Sequence, residues 1–505
     1  MIFVSVNNIK KEERPFFEEK IKIYNRMIYL FSQSKGYASP YDERISAKTI
    51  AELINIGVID SENECKILKK TLGEDTFNQF IKSVNFYLDK PEETEQIIYR
   101  LRNKSRKECQ KKDIKEDKLN VADFFCGAGG LSLGFHKAGY RIVFANDFQR
   151  ICTETYKYNH PEIPAERIYT GDIKDIAKNI NKIVQENIDL VIGGPPCQSF
   201  SSANQRRVID DPRNILYKYF IEAVKMLCPK VVVMENVKGM LKVADQVVED
   251  YNSIKIERQG VSYSYLVSYK LLNAVNFEVA QSRERLIYIA IRNDVAVAEN
   301  ITPETIFKEI DDSCKNTPKY NLESALEFIQ PLDAPRIKGQ TETDDEKTGM
   351  KIGLNKYDSC GNQYLKNIND GRQMLFVFNH KARYCSDVNY EIFRRLDQGE
   401  DSTNPKIADI MPYARRNGIF KDKYYKLIAA KPCRTITAHL KMDCLSHIHP
   451  YQIRSITPRE AARVQSFPDD YLFLGAYLKT YMEIGNAVPV LMAKKIATII
   501  KSHLL

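Results

Sequence analysis

The sequence contains no uninterrupted apolar run close to the ~20 residues that a membrane-spanning helix needs. It contains no C-x-x-C pair among its 11 cysteines, which argues against the disulfide framework of a small secreted domain. No secretory signal peptide is predicted from the opening segment MIFVSVNNIKKEERPFFEEK, which has neither a long apolar core nor a small-residue cleavage site. We therefore expect a soluble protein of a reducing compartment, the cytoplasm.

The composition fits a globular protein with more than one domain. Domains usually contain ~100–200 residues, and a chain of 505 residues has room for a large domain and one or two smaller modules. Hydrophobic residues at 43% and charged residues at 28% are ordinary values, so a sizeable core is available. Lys and Arg number 75 against 66 Asp and Glu, and the net charge of +9 suits a polyanionic partner without identifying one.

The sequence changes character several times along the chain. In residues 1–98, apolar residues recur at helical spacing without a catalytic signature, which predicts a separate helical extension. Residues 99–119 are rich in charge and are predicted to form a solvated linker or helix. Residues 120–293 alternate short apolar runs with helical segments, the pattern of a parallel α/β sheet. Residues 294–433 are polar and irregular, whereas residues 434–505 are ordered again and end in a helix.

A glycine-rich segment follows the first apolar run of the predicted sheet. In a doubly wound sheet, ligands bind beyond the carboxyl ends of the strands. Glycines let the backbone approach a ligand closely, and the following helix offers free N–H groups. The spacing is F-x-G-x-G-G rather than the G-x-G-x-x-G of dinucleotide enzymes. The residues predicted to bind a cofactor in this loop are Phe125, Gly127, Gly129, Gly130 and Leu131.

Carboxylates follow the next two strands. Asp147, at the end of the second apolar run, is placed to hold two ribose hydroxyls, and the adjacent Phe148 is placed to stack on adenine. Asp172 follows Tyr169-Thr170-Gly171. Two acidic residues at successive strand ends would repel phosphates but suit a ligand with hydroxyl and amino donors. An adenosine without phosphates fits, and S-adenosylmethionine is such a ligand.

Four further side chains are candidates for chemistry. The fourth run leads into Gly-Gly-Pro-Pro-Cys, where the prolines fix the backbone around Cys197 at the rim of the sheet. A buried core cysteine is the alternative, but the Gly/Pro loop favours a nucleophile. Glu235 ends the fifth run and is a candidate acid. Arg283 and Arg285 point the same way on a later strand, although a pair of surface salt bridges would look alike in sequence.

In this order the segments resemble the motifs of the cytosine-5 DNA methyltransferase family, from Val121 to about Ile499. The matching segments are DFFCGAGGLSLGF, GGPPCQSFS, MENVKGM, QSRERLIYIA, RTITAHL with IHP and TPREAARVQSFPDDY, and GNAVPVLMAKKIA. The resemblance implies a doubly wound, mostly parallel α/β sheet of the S-adenosylmethionine-dependent methyltransferase type. It adds Ile173, Pro195, Asn486 and Ala487 to the cofactor residues, and it places Asp210 to Asn214 in the loop that closes over DNA.

The resemblance also implies a reaction, the transfer of a methyl group from S-adenosylmethionine to carbon 5 of a flipped-out cytosine in a specific duplex sequence. Carbon 5 is a poor nucleophile until a thiolate adds to carbon 6 of the ring. An acid at ring nitrogen 3 and a cation at the 2-carbonyl oxygen assist that addition. Cys197, Glu235 and Arg285 meet these three demands, with Arg283 as a second catalytic arginine.

The resemblance assigns the domains and partners. Residues 120–293 would bind the cofactor, 434–505 would complete that domain, and 294–433 would be a target-recognition domain facing the major groove. The extension 1–98 would be a plain bundle or a DNA-contacting module. Expected partners are duplex DNA and a cognate restriction endonuclease, with no membrane, for a monomer acting at the nucleoid in a bacterial restriction-modification system or as an orphan. The candidate contacts to DNA are Arg372, Arg383, Arg415 and Arg416.

Three alternatives stay open on the sequence. A cytosine-5 methyltransferase of transfer RNA shares the DNA-type architecture, although the long region between the motifs favours DNA. A non-catalytic DNA-binding homologue would usually lose the nucleophile or the cofactor glycines, which are present here. A zinc site is the third alternative, but its spacing fits no familiar pattern and no metal is expected. Its candidate ligands are Cys433, His439, Cys444, His447 and His449.

Overall fold

A computed structural model describes residues 2–37, 42–196, 215–339, 343–412 and 423–504 of the chain. Within these residues, six helices precede the first strand of the central sheet. They are α1 (Arg14–Ser34), α2 (Ala47–Ile56), α3 (Cys65–Leu72), α4 (Glu74–Asp89), α5 (Pro91–Ile98) and α6 (Asn103–Lys115). Pro15 lies in the first turn of α1, and Ser46 with Thr49 forms a capping box at the start of α2. No helix of the described ranges has both the length and the apolar character that crossing a bilayer demands.

A seven-stranded sheet lies at the centre of the described chain. Its strands are β1 (Asn120–Phe124), β2 (Arg141–Asp147), β3 (Ile168–Thr170), β4 (Leu190–Gly193), β5 (Val231–Val237) and, after a hairpin of β6 (Ile256–Arg258) and β7 (Val261–Tyr263), β8 (Tyr265–Asn273) and β9 (Glu284–Arg292). The spatial order is β3-β2-β1-β4-β5-β9-β8. Strands β1 to β5 are parallel, β9 runs antiparallel to β5, and β8 runs antiparallel to β9 and so in the direction of β5. The predicted doubly wound, mostly parallel α/β sheet is therefore confirmed.

Helices cover both faces of this sheet. They include α7 (Gly130–Lys137), α8 (Arg150–Asn159), α9 (Ile180–Ile183), α10 (Ile215–Leu227), α11 (Ala244–Asn252), α12 (Asn293–Ala298) and α13 (Pro303–Cys314). Successive strand residues enter opposite cores, so Leu190 of β4 packs on one face and Val191 on the other. Ile306 and Ile310 of α13 lie in the same core as Leu190. The sheet domain thus extends to Cys314, beyond the predicted boundary at residue 293.

The chain beyond α13 forms short elements that pack on one another and on the sheet domain. They are α14 (Leu322–Leu326), β10 (Gly349–Leu354), α15 (Gln363–Asn369), β11 (Phe376–Lys381), α16 (Asp387–Arg395), α17 (Pro458–Val464), α18 (Tyr477–Asn486) and α19 (Val490–Lys501). Strands β10 and β11 form an antiparallel hairpin in which Ile352 pairs with Phe378. Helix α19 returns to the sheet, where Met492 and Ile496 share a core with Phe135 of α7. The last described residues therefore complete one face of the sheet domain.

The N-terminal helices differ from the separate extension that the sequence predicts. Tyr24 of α1 and Phe80 of α4 lie in one apolar cluster with Ile352 and Phe378 of the β10–β11 hairpin and with Leu472. Helical periodicity shows that a face is apolar but not what covers it. Here that face is covered partly by the hairpin and by the chain before α18, so the extension and the rest of the protein share a core.

The charge-rich stretch 99–119 also differs from the predicted linker, because its helix α6 is packed. Arg102 and Arg106 are buried. Arg102 Nε donates to Glu52 Oε1 at 2.8 Å, and Arg106 Nη2 donates to the carbonyl oxygen of His160 at 3.2 Å. Charge content alone does not separate a solvated segment from a packed helix whose cations have buried partners.

A buried ion pair joins α1 to α8. Lys20 Nζ lies 2.6 Å from Glu154 Oε2, and each side chain is 6% exposed. Burial alone would raise the pKa of Glu154, but the ammonium groups of Lys20 and Lys157 outweigh it and lower the pKa to about 2. A carboxylate with so low a pKa stays ionised at neutral pH, and its burial depends on these cations.

Replacing Lys20 by Met should lower the free energy of unfolding by about 3 kcal/mol, because Glu154 loses its closest buried partner. Urea unfolding monitored by circular dichroism measures this change. Lys22→Met is the matched control, since Lys22 is exposed on the same helix. Combining Lys20→Met with Glu154→Leu should recover much of the loss, since an apolar pair can replace a buried ion pair. If Lys20→Met is as stable as Lys22→Met, the pair does not hold the extension in place.

Candidate active site

The glycine-rich loop after β1 has the backbone that its sequence requires. Phe125, Gly127 and Gly129 have φ values of 59°, 53° and 92°, in the left-handed region that favours glycine. A Cβ added to Gly130 would lie 2.5 Å from the carbonyl oxygen of Val488, so this glycine allows close packing on the C-terminal segment. A Cβ added to Gly127 would meet nothing within 4 Å. The loop therefore has open space above Gly127, where a ligand can approach the backbone.

Asp147 ends β2 beside this loop. Its Oδ2 accepts a hydrogen bond from Gly127 N at 3.0 Å, and its Oδ1 accepts one from Gln149 N at 2.7 Å. Burial raises the pKa of Asp147, and these two backbone donors oppose the rise. Each carboxylate oxygen retains capacity to accept a further hydrogen bond. Phe148 is 72% exposed, so its ring is a free apolar surface next to the carboxylate.

The end of β3 supplies Asp172 and Ile173. Asp172 Oδ1 accepts a hydrogen bond from Lys174 N at 3.0 Å and caps a short 3-10 helix, and Ile173 beside it is buried. Asn146 on β2 ties the two strand ends together by donating from Nδ2 to the carbonyl oxygen of Gly171 at 2.9 Å. The three parallel strands therefore bring the glycine loop and both carboxylates to one edge of the sheet.

Glu235 and Arg285 meet at the same edge from antiparallel strands. Val237 of β5 pairs with Arg285 of β9, and Glu235 lies two residues earlier on β5, so the two side chains are diagonal neighbours. Arg285 Nε lies 2.6 Å from Glu235 Oε1, with side-chain exposures of 13% and 11%. Burial lowers the pKa of Arg285, and Glu235 opposes that shift. A Cβ added to Gly194 would lie 2.9 Å from Glu235 Oε2, so this oxygen faces the Gly-Gly-Pro-Pro loop.

The side chain of Arg283 has a different environment from that of Arg285. Its side chain is fully buried, and its guanidinium donates to the carbonyl oxygens of Ile436 at 2.6 Å, Gly485 at 2.9 Å and Ala487 at 3.1 Å. Both Nη groups of Arg283 hold the chain around Asn486, and a catalytic role for this residue stays a prediction. Periodicity placed both arginines on one side, but only packing separates an open guanidinium from a buried one.

The C-terminal segment closes the site. Asn486 is exposed at the end of α18, while Ala487 is buried and its carbonyl oxygen accepts a hydrogen bond from Arg283.

The loop after β4 is held by the neighbouring strand β5. Asn236 Nδ2 donates to the carbonyl oxygen of Pro195 at 3.0 Å. Asn236 was not singled out from sequence, although it follows the candidate acid directly. The predicted nucleophile Cys197 lies outside the described residues, as do Asp210 to Asn214.

A buried carboxyl group lies beneath the glycine loop. Asp123 on β1 accepts a hydrogen bond on Oδ2 from Ser132 Oγ, and Tyr156 donates its hydroxyl to Ser132 Oγ at 2.7 Å. Burial raises the pKa of Asp123 to about 8, despite the bond from Ser132. Sequence reasoning missed this residue because it falls within the apolar run rather than at its end.

The structure also describes two of the candidate DNA-contacting arginines and the candidate zinc ligands. Arg383 donates to the carbonyl oxygens of Leu440 at 2.8 Å and Met442 at 2.6 Å, which commits its guanidinium to the protein. Arg372 is half-exposed and pairs with Asp470 at 3.0 Å. Arg415 and Arg416 fall outside the described ranges. No cluster of three or more metal-ligating side chains occurs in the described part of the chain, and this holds for the candidate zinc ligands as well.

Comparison with protein families matches residues 119–502 to the family described as C-5 cytosine-specific DNA methylase. The chain belongs to this family. The match spans the glycine loop, both strand-end carboxylates, the Glu235–Arg285 pair and Asn486. It confirms the predicted family, and the protein is a DNA cytosine-5 methyltransferase.

Individual proteins that are similar to this methyltransferase support the same family. The type II methyltransferase M.DdeI of Desulfomicrobium norvegicum is 31% identical, over 75% of this chain and 88% of its own. M1.HphI of Haemophilus parahaemolyticus, also a type II methyltransferase, is 30% identical over 75% and 86% of the two chains. A solved structure named as a DNA modification methyltransferase encoded within an E. coli prophage superposes with a TM-score of 0.58, at 25% identity over 77% and 99%. Residues 1–118 of this methyltransferase lie outside the family match.

Replacing Gly194 by Ala in this methyltransferase should lower turnover by ~100-fold, the order of loss expected when a reacting group is displaced by about 1 Å. The added Cβ would lie 2.9 Å from Glu235 Oε2, so the carboxylate or the loop must move. Initial rates of DNA methylation at saturating substrates measure the effect. The control is Gly361→Ala, because a Cβ there meets nothing within 4 Å. Equal turnover of the two variants would show that Glu235 does not act across this loop.

Proposed function

We propose that this methyltransferase moves a methyl group from S-adenosylmethionine to carbon 5 of a flipped-out cytosine in a specific duplex sequence, through a covalent Cys197 adduct. The Glu235–Arg285 pair carries the proposal. It lies at the carboxyl edge of the sheet and faces Gly194, three residues before Cys197. This edge supplies a carboxyl group and a guanidinium, and with a thiol these are the three groups that activation of cytosine demands.

The residues around the glycine loop fit an adenosine ligand without phosphates. Asp147 retains acceptor capacity for two ribose hydroxyls, the exposed ring of Phe148 suits adenine, and Asp172 suits the adenine amino group. The open space above Gly127 admits the ligand to the backbone. When bound, S-adenosylmethionine supplies an electrophilic methyl group. The full set assigned to it is Phe125, Gly127, Gly129, Gly130, Leu131, Asp147, Phe148, Asp172, Ile173, Pro195, Asn486 and Ala487.

The chain's own residues activate the base. The Cys197 thiolate forms a bond to carbon 6 of cytosine, and the electron pair of the 5,6 double bond becomes available at carbon 5. Glu235 holds a proton at ring nitrogen 3, with Oε2 free for the base because Oε1 faces Arg285. Arg285 steadies the charge that develops on the ring and its 2-carbonyl oxygen. After methylation a base removes the carbon 5 proton, and the sulfur–carbon bond breaks to release Cys197.

Arg283 is a positioning residue in this proposal. Its guanidinium holds the carbonyl oxygens of Ile436, Gly485 and Ala487, and it therefore fixes Asn486 at the mouth of the cofactor site. The buried group needs no contact with cytosine to affect the reaction, since the loop that it holds contains the cofactor residue Asn486.

We assign sequence recognition to the region between α13 and residue 433, with duplex DNA as substrate. The relatives named type II methyltransferase support a role in restriction-modification, with a cognate restriction endonuclease acting on the same sequence. The monomer is sufficient for the reaction, because one chain supplies every group assigned above. The place of action is the cytoplasm, at the nucleoid.

Cys197→Ser should abolish methylation while leaving S-adenosylmethionine and DNA affinities near those of the wild type, because the hydroxyl is a far weaker nucleophile than a thiolate. Incorporation of labelled methyl groups into DNA measures the loss. A duplex with 5-fluorocytosine at the target should trap the wild type as a denaturant-stable adduct, since fluorine does not leave as a proton does. Cys360→Ser is the matched control, because Cys360 is exposed and lies in the region between α13 and residue 433. Residual turnover close to wild type in Cys197→Ser would refute the covalent step.

Asp147→Ala should weaken S-adenosylmethionine binding by ~1–3 kcal/mol, the range for hydrogen bonds to a charged group. Isothermal titration calorimetry without DNA measures this directly. Asp172→Asn is a graded comparison, since an amide retains one acceptor for the adenine amino group. Cofactor affinity unchanged in Asp147→Ala would place the ribose contact elsewhere.

A further inference from the structure

Helix α1 lies outside the family match, yet two of its adjacent residues contact three separate parts of the enzyme. Lys20 forms the buried pair with Glu154 of α8. Helix α8 starts three residues after the cofactor carboxylate Asp147, and Arg150 in its first turn also contacts α1's N-cap Glu13 at 3.0 Å. This side of α1 is therefore fixed to the cofactor-binding half of the sheet domain.

Glu19, the residue before Lys20, contacts two other parts of the enzyme. Gly475 N donates to both of its carboxylate oxygens, at 3.0 and 2.8 Å, and Lys351 of β10 pairs with the same carboxylate. Lys351 Nζ also donates to the carbonyl oxygen of Gly475 at 3.1 Å. Gly475 lies just before α18, whose last residue is Asn486. One carboxylate thus joins the β10–β11 hairpin and the segment that leads to the cofactor site.

The hairpin depends on α1 for its packing as well. Arg26 Nε donates to the carbonyl oxygen of Ile352 at 3.3 Å, and the buried side chains of Ile352, Phe376 and Phe378 lie in the apolar cluster built by the N-terminal helices. A two-stranded hairpin alone is marginally stable in water, so its inner face needs such a support. The N-terminal helices supply that support for β10–β11.

We propose that α1 sets the position of the β10–β11 hairpin relative to the cofactor site, with Glu19 and Lys351 as positioning residues for sequence recognition. The proposal rests on the assignment of recognition to the region after α13. Recognition requires a fixed distance between the bases being read and the cytosine being flipped, and displacements of about 1 Å are costly. The N-terminal helices therefore act on fidelity without contacting a base.

The charges beside α1 argue against direct binding of DNA by the N-terminal helices. A cleft of about 1050 Å³ lies between α1, α4 and the hairpin, and four of its five lining cations have partners within the protein. Lys351 and Lys381 in its wall are paired with Glu19 and Asp344. A surface for a phosphate backbone needs an excess of cations that are free to pair with phosphate. Lys22 is exposed in this wall and provides a test of direct contact.

The experiment compares Glu19→Gln with Glu18→Gln in the full-length enzyme. Glu19→Gln keeps the shape of the side chain but loses the ion pair, whereas Glu18 pairs with the half-exposed Arg14, and such a surface pair contributes little to stability. We expect Glu19→Gln to raise KM for DNA by about five-fold, with kcat and S-adenosylmethionine affinity unchanged, since ~1 kcal/mol corresponds to that factor. Deamination sequencing of methylated genomic DNA should show a larger share of methylated sites with one mismatch to the preferred sequence.

Two additional measurements separate positioning from folding. Lys351→Met should produce the same shift in KM and in mismatched sites, and the double variant should add nothing further, because both substitutions break one interaction. Backbone amides of β10 should exchange hydrogen faster in Glu19→Gln than in Glu18→Gln, while those of β1 stay unchanged. If Glu19→Gln fails to fold, Lys351→Met tests the same interaction from the hairpin side.

The outcomes that overturn the proposal are distinct from failure of the catalytic assignment. Identical KM and mismatch share in Glu19→Gln and Glu18→Gln would refute the positioning role. Equal losses in kcat, cofactor affinity and β1 protection would also refute it, because they indicate a general loss of stability. A raised KM in Lys22→Met with an unchanged mismatch share would favour direct DNA contact instead. Trapping on 5-fluorocytosine reports on Cys197 alone, so it separates a failed mechanism from a failed positioning role.

Discussion

A fully buried guanidinium connects the two stretches of chain that enclose the reaction site. Arg283 precedes β9, and its donors reach main-chain oxygens at Ile436, Gly485 and Ala487, more than 150 residues later. Removing a cation from water is costly unless its hydrogen bonds are replaced, and main-chain carbonyls provide that replacement here. Because the C-terminal segment is held to the sheet at this point, the chain around Asn486 is fixed beside the start of β9, the strand that carries Arg285.

This arrangement explains why the two neighbouring arginines have different environments. Arg285 lies within β9 and meets Glu235 across the strand pair, whereas Arg283 lies one residue before the strand and faces the returning chain. A sequence interval of two residues predicts a shared side but not the depth of either side chain. Burial depth depends on segments that are distant in sequence, so it could be obtained only from the folded chain.

Local rules account for the positions at strand ends that the sequence predicted for the candidate site. Glycines after β1, Asp147 after β2 and Asp172 after β3 follow from the tendency of parallel sheets to bind ligands at strand ends. Asp123, Asn236 and Gly194 act through contacts across strands and loops, and the sequence carried no comparable sign of them. The N-terminal helices were predicted as helices for the same local reason, but the surface that covers their apolar face comes from residues more than 300 positions away.

Several contacts between α1 and the rest of the enzyme use backbone atoms. Arg26 bonds to the carbonyl oxygen of Ile352, and Glu19 bonds to Gly475 N. Main-chain groups are the same whatever side chain a residue carries, so these bonds survive exchanges of outward-facing residues in the hairpin. The backbone bond from Arg26 therefore attaches the hairpin to α1 independently of the side chains that the hairpin presents to solvent.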